Sequence, residues 1–390
     1  MTEAVVIIGS GLAGYNVARE FRKLDAEAPI VVVSRDHAGF YSKPMLSNAL
    51  AGKKTAATLV MKDAEKMAGE IKARVVGGVS VNSIDTAART VGLSNGETLA
   101  YRDLVLALGA DPIRLPLQGN AADTVLSVND LDDFARFATA LDTAANGGPV
   151  KRVAILGAGL IGCEFANDLL HREVQATVLD LADRVLSRLL PPESSARLQA
   201  KLEAQGAQFK FGVGVNSVDK LEGEHPLRLS LSDGSTLDVD LVLSAIGLKP
   251  RTDMAAQAGV QVARGICVNR ELATSVPHVY AVGDCAEVEG QLLPYVLPLM
   301  AQARALAATL SGKPTTVSYP AMPVVVKTPA WPTVVCPPAP GAQGEWVVTQ
   351  DDEQIDARFM AGEQLLGFAL QGKAVSQRQA LASQVPAVLV

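Results

Sequence analysis

Short, predominantly apolar runs set the rhythm of this chain. Val5-Val6-Ile7-Ile8, Ile30-Val31-Val32-Val33, Val153-Ala154-Ile155-Leu156, Ala176-Thr177-Val178-Leu179 and Leu241-Val242-Leu243-Ser244-Ala245-Ile246 are of this kind. Such runs predict strands of parallel sheets, buried on both faces under helices. Tyr15–Arg22 has apolar residues at helical spacing, and a second helix is predicted over Pro298–Leu310. Shorter strands are predicted at Arg74–Val76, Ser80–Ile84, Leu104–Leu108 and Val279–Val282. Thr90–Leu93 and Thr98–Ala100, joined by the polar turn Ser94-Asn95-Gly96-Glu97, predict a hairpin, and Leu231-Ser232-Asp233-Gly234-Ser235 marks another. A turn cluster stands at Asn146-Gly147-Gly148-Pro149, and the Pro-rich stretch from Tyr319 to Pro340 predicts a boundary. The remainder, through Trp346-Val347-Val348 and Gly367-Phe368-Ala369-Leu370, predicts a small sheet followed by a helix.

Two of the buried-strand runs end in the same glycine pattern. One continues Gly9-Ser10-Gly11-Leu12-Ala13-Gly14, the other Gly157-Ala158-Gly159-Leu160-Ile161-Gly162. Strand, G-x-G-x-x-G and helix together form a dinucleotide-binding fingerprint. The glycines permit a tight turn and a close approach of backbone to pyrophosphate, whose charge sits at a helix N-terminus. Each half then repeats one order: fingerprint, acid after the second strand, hairpin, strand ending in Gly. The predicted class is α/β, with two Rossmann-like dinucleotide-binding domains and a small α+β C-terminal domain. Two nucleotides in one chain suggest electrons passing between them.

Composition agrees and excludes alternatives. The 390 residues allow two or three domains. With 48% hydrophobic and 19% charged residues and a mean hydropathy of +0.21, the chain suits large buried sheets. No apolar stretch is long enough for a membrane span, and Met1-Thr2-Glu3 leads straight into the first strand without a signal segment, so a cytoplasmic protein is expected. A net charge of −6, without basic runs, leaves no footprint for nucleic acid. Cys163, Cys267, Cys285 and Cys336 include no C-x-x-C pair. His37, His171, His225 and His278 make no metal motif, so no metal is expected.

An acid at the end of the second strand of such a unit holds ribose hydroxyls and disfavours a 2′-phosphate. Asp180 stands about 23 positions after Gly157, close to the usual interval, which favours NADH. Arg184 nearby tempers that preference. In the first unit the strand leads into Ser34-Arg35-Asp36, with Asp36 the candidate ribose ligand. Spacing alone does not say which fingerprint holds a flavin.

Thr274-Ser275-Val276-Pro277-His278-Val279-Tyr280-Ala281-Val282-Gly283-Asp284 resembles the flavin-contacting motif of the glutathione-reductase fold, as Leu104 to Gly109 and Leu241 to Gly247 resemble its crossover strands. The resemblance implies FAD, tightly but not covalently bound, at Gly9–Gly14, with Ala107, Gly109, Gly283 and the ribityl ligand Asp284. It implies NADH at Gly157–Gly162 and Gly247. It also implies a discontinuous FAD-binding domain, 1–112 with 250–318, around an NAD-binding domain at 113–249, and a C-terminal domain at 319–390.

Thiol-using members of that fold carry cysteines beside the flavin. Here the corresponding loop is Tyr41-Ser42-Lys43-Pro44-Met45-Leu46-Ser47, and Cys163 stands alone. The loop resembles the Tyr-x-x-Pro-x-Leu-Ser pattern of the ferredoxin, putidaredoxin and rubredoxin reductases. Ferredoxin-type members have Arg in place of Lys43 and Lys in place of Asn48. The loop as written is similar to that of the rubredoxin–NAD reductases, as are Gly162-Cys163-Glu164-Phe165-Ala166-Asn167-Asp168, Gly283-Asp284-Cys285-Ala286-Glu287-Val288 and Pro323-Val324-Val325-Val326-Lys327-Thr328-Pro329.

Membership implies that hydride moves from NADH to the flavin and that single electrons leave for a separate, acidic rubredoxin, docked on a basic rim. Flavorubredoxin or ferredoxin as acceptor, and a non-catalytic flavin- and NAD-binding redox sensor, are the alternatives. Glu164 is implied near nicotinamide and flavin, paired with Lys43 or Lys327. Lys43 and Pro44 are expected beside the flavin, with Val81 and Val296 as backbone contacts to FAD.

Overall fold

A computed structural model describes residues 3–144, 147–223 and 225–390. Met1, Thr2 and Asn146 of the expected turn cluster lie outside the described residues.

The apolar runs form two parallel sheets. In the first, the order is Arg74–Val76, Ile30–Val33, Ala4–Ile8, Thr98–Leu106, with Val279–Ala281 pairing parallel to the end of the last. A segment late in sequence therefore extends the N-terminal sheet. Val81–Asp85 and Thr90–Leu93 continue it as antiparallel strands. The second sheet runs Gln208–Phe211, Gln175–Asp180, Arg152–Leu156, Leu241–Ser244, all parallel. The expected hairpin at Asp233-Gly234 joins Leu227–Leu231 to Thr236–Val239 in a three-stranded sheet with Val215–Lys220.

Helices Leu12–Leu24 and Leu160–Leu169 follow the two glycine turns, and Val296–Leu310 packs on the first of them. The helix Leu12–Leu24 ends with Arg22 and Lys23, cations that suit its C-terminal dipole. Leu248–Pro250 pairs antiparallel with Ala110–Pro112, tying the two crossings together. Among the described residues, no helix is long and apolar enough to cross a membrane.

Two sequence expectations need revision. Thr98–Leu106 is one strand, pairing with the hairpin at one end and the parallel sheet at the other, so Arg102 interrupts the apolar run but not the ladder. The Pro-rich stretch is not simply a boundary. Its apolar pieces Val324–Val326 and Thr333–Cys336 are strands of a five-stranded antiparallel sheet with Gln364–Gly372, Gln354–Ala361 and Glu345–Gln350. The prolines flank these strands and leave their ladders intact. The expected final helix is the short Arg378–Ala382. One buried cluster fills the first sheet, and a second runs from the second parallel sheet through Leu46, Leu50, Val326, Trp331 and Val335.

Candidate functional site

Both glycine turns open on one cleft of about 2530 Å³. Gly9 has φ +114°, and a Cβ there would stand 2.2 Å from the Ala107 carbonyl oxygen; a Cβ on Gly14 would stand 1.9 Å from that of Gly9. These two glycines answer to the protein's own packing. Gly11 does not: no neighbouring atom lies within 4 Å of where its Cβ would be.

The second turn repeats this plan, with Gly157 and Gly162 crowded and Gly159 facing open space. Gly11 and Gly159 also begin their helices without a side-chain cap, as does Tyr295 before Val296–Leu310. Unpaired N–H groups at these helix starts favour an anion. The residues present therefore fit a pair of dinucleotides: two open glycines, each at an uncapped helix start, and an acid after each second strand.

Of the expected residues, Ser10, Leu12, Ala13, Ser34, Arg35, Asp36, Pro44, Val81, Ala107, Gly109, Leu160, Ile161, Asp180, Gly247, Asp284 and Val296 line the cleft, as do Gly9, Gly11, Gly157 and Gly159. Gly14, Gly162 and Gly283 do not; they pack behind it. Gly283, at φ +77°, brings the chain so close that a Cβ would stand 2.8 Å from that of Ala13.

The two acids are held differently. Asp36 Oδ1 accepts from Ser34 Oγ (2.7 Å), Ser10 Oγ (3.3 Å) and the Ala38 N–H (2.9 Å). Asp180 uses both oxygens, accepting from the Ala158 N–H at 2.5 Å and the Ala182 N–H at 2.8 Å. It braces the glycine turn as well as facing the cleft.

A charged cluster also lines the cleft. Glu164, 3% exposed, accepts from Ser47 Oγ at 2.6 Å and from the Lys327 backbone N–H at 2.9 Å, and pairs with Lys327 Nζ. Lys327 Nζ also donates to Ser47 Oγ at 3.0 Å. Lys43 pairs instead with Asp284, 3.8 Å away. So the sequence left two candidate partners for Glu164, and the structure selects Lys327. Burial lowers the Lys43 ammonium's pKa, with Asp284 opposing.

Several residues had no role in the sequence reading. Ser47 lay inside the quoted loop pattern. Arg251 donates to the Leu108 carbonyl oxygen (2.7 Å) and to Asp111 across the crossover, a contact that only the folded chain reveals. Asp168 accepts from the Leu50 and Ala51 N–H groups, and its spacing one turn after Glu164 was the available signal.

A family model described as pyridine nucleotide-disulphide oxidoreductase matches residues 3–307. The chain belongs to that family. A second model, described as rubredoxin binding C-terminal domain, matches residues 316–385 of this oxidoreductase. It is 47% identical to a rubredoxin-NAD(+) reductase from Alcanivorax borkumensis over 99% of each chain. It is 38% identical to a nitric oxide reductase FlRd-NAD(+) reductase from Aeromonas salmonicida, over 99% of this chain and 97% of that one. The solved covalent putidaredoxin reductase–putidaredoxin complex matches with a TM-score of 0.87 at 28% identity, covering 98% of this chain and 94% of that one.

Despite the family's name, none of this oxidoreductase's four cysteines is in a disulphide. Cys163 and Cys285 are fully buried. Burial drives the Cys163 thiol far up and pushes that of Cys285 up to about 11. Neither supplies a thiolate near neutral pH.

Proposed function

We propose that this chain is an FAD-dependent reductase of the cytoplasm that oxidises NADH and passes single electrons to rubredoxin. The observation that carries the reading is the single cleft onto which both open glycine turns face, with the Glu164–Lys327–Ser47 cluster in its lining. We assign FAD to the turn Gly9–Gly14 and NADH to Gly157–Gly162. The flavin unit comprises 1–112 with 250–318, the NAD unit 113–249 and the C-terminal unit 319–390. Bound FAD supplies the conversion of a two-electron donor's hydride into single-electron transfers.

The chain's own residues do the rest. The helix starts at Leu12 and Leu160 hold pyrophosphate through backbone N–H groups. Asp36 and Asp180 keep an oxygen lone pair for ribose hydroxyls while anchored by their own donors. Lys327 and Lys43 place positive charge beside the site where negative charge develops on reduction, and Glu164 and Asp284 fix where those ammonium groups stand. Val324–Val326, an outer strand of the C-terminal sheet, contributes Val324 and Val325 to the cleft wall, so the segment matched to rubredoxin binding adjoins the site from which electrons must leave.

Comparing reduction rates for rubredoxin, flavorubredoxin and ferredoxin at equal concentration tests the acceptor. Rubredoxin is expected to be fastest. Equal rates, or a preference for either of the others, would overturn the assignment. Flavorubredoxin is the second reading, favoured by the FlRd-NAD(+) reductase relative but at 38% identity against 47%.

A further inference from the structure

The helix Leu160–Leu169 buries three polar side chains, Glu164 at its middle and Asn167 and Asp168 near its end, which are 3%, 3% and 2% exposed. Each turns its oxygens toward a segment outside the helix. Glu164 holds Ser47 and the Lys327 N–H. Asn167 Oδ1 accepts the Ala330 N–H at 3.1 Å. Asp168 accepts two N–H groups, Leu50 on Oδ2 at 2.9 Å and Ala51 on Oδ1 at 2.8 Å. Glu164 and Asp168 stand one turn apart and reach the same stretch, Lys43 to Ala51. Asp168 itself does not line the cleft.

A buried carboxylate is retained at a cost unless its hydrogen bonds are complete. Those of Asp168 are two backbone donors, each met by its own carboxylate oxygen. Burial raises its carboxyl above the usual range although both N–H groups pull the other way.

We propose that Asp168 is a positioning residue. It locks the 43–51 segment against the NAD-side helix, so that Ser47 meets Glu164 and Lys43 meets Asp284. The helix that would receive NADH at its start thereby fixes, near its end, the loop that faces the flavin. The inference rests on the reductase reading given above.

Asp168→Asn keeps the shape but leaves one acceptor oxygen and sets an N–H₂ against a second N–H. In the cofactor-free protein, hydrogen–deuterium exchange across 43–51 is expected to rise at least about tenfold while Leu12–Leu24 is unchanged, as local opening without global unfolding requires. In the flavin-loaded protein, the limiting rate of anaerobic flavin bleaching by NADH is expected to fall about ten- to a hundredfold, and half-saturating NADH to move less than about threefold. Asp168→Glu, which retains both oxygens, is expected to restore part of each. If Asp168→Asn does not fold, Asp168→Glu carries the test by its intermediate loss. Parental exchange across 43–51, or a parental limiting rate, in the variant that folds overturns the proposal. A parent protein that NADH fails to bleach would overturn the reductase reading instead, so the two failures are distinguishable.

Discussion

Lys327 and Glu164 lie 163 positions apart, yet they form the most confined ion pair of the cleft. Glu164 is almost wholly buried, so removing its cation leaves a buried charge with only the Ser47 hydroxyl and one N–H for compensation. Lys327→Met is expected to destabilise the fold by on the order of 3 kcal/mol in urea unfolding. Adding Glu164→Gln should recover most of that, because an uncharged pair no longer carries the penalty. If the double variant is no more stable than Lys327→Met alone, the two groups are not coupled. Asp180→Ala is expected to weaken discrimination of NADH from NADPH. Since Asp180 also ties the Ala158 and Ala182 N–H groups, the KM for NADH should rise too. An unchanged preference would move specificity elsewhere in the cleft.

The elements separate glycines that the packing requires from glycines that face open space. Gly159 has an ordinary φ of −77° and no neighbour within 4 Å of a Cβ, whereas a Cβ on Gly162 would stand 1.8 Å from the Gly157 carbonyl oxygen. Gly159→Ala is therefore expected to leave thermal stability unchanged or slightly higher, by about 0.5 kcal/mol, while NADH binding weakens. Gly162→Ala should reduce the yield of folded protein itself. Calorimetry and NADH titration on both variants check this; equal effects on stability would contradict it. The fingerprint pattern alone marked both glycines and separated neither, because only the third dimension shows what each one touches. The same holds for strands. Ile30–Val33 and Gln175–Asp180 were legible as apolar runs, but Val324–Val326 and Thr333–Cys336 were hidden by flanking prolines whose effect on a ladder depends on where its N–H groups point.

For the whole molecule, sequence order gave the two nucleotide units, and long-range pairing supplied the rest. Val279–Ala281 joins the first sheet beside Leu104–Leu106, which brings Asp284 to the cleft from far along the chain, with Gly283 packed behind it. The C-terminal sheet shares a buried cluster with the second parallel sheet. Trp331 is covered by the cations Arg197 and Lys201 of the helix Pro192–Glu203, at 5.7 and 4.7 Å from its ring centre. That sheet is thereby held where Lys327 can reach Glu164. The partner choice of Glu164 was not legible beforehand, because Lys43 and Lys327 are equivalent until the chain is folded.

With every described cysteine out of a disulphide and Cys163 and Cys285 buried, the proposed exit for electrons is the flavin itself. The most direct test is anaerobic stopped-flow mixing of the purified protein first with one equivalent of NADH and then with oxidised rubredoxin. The account predicts that NADH bleaches the flavin absorbance and that rubredoxin restores it, two rubredoxins being reduced for each NADH as electron balance requires. A flavin that NADH leaves unbleached, or a reduced flavin that rubredoxin fails to reoxidise, would contradict it.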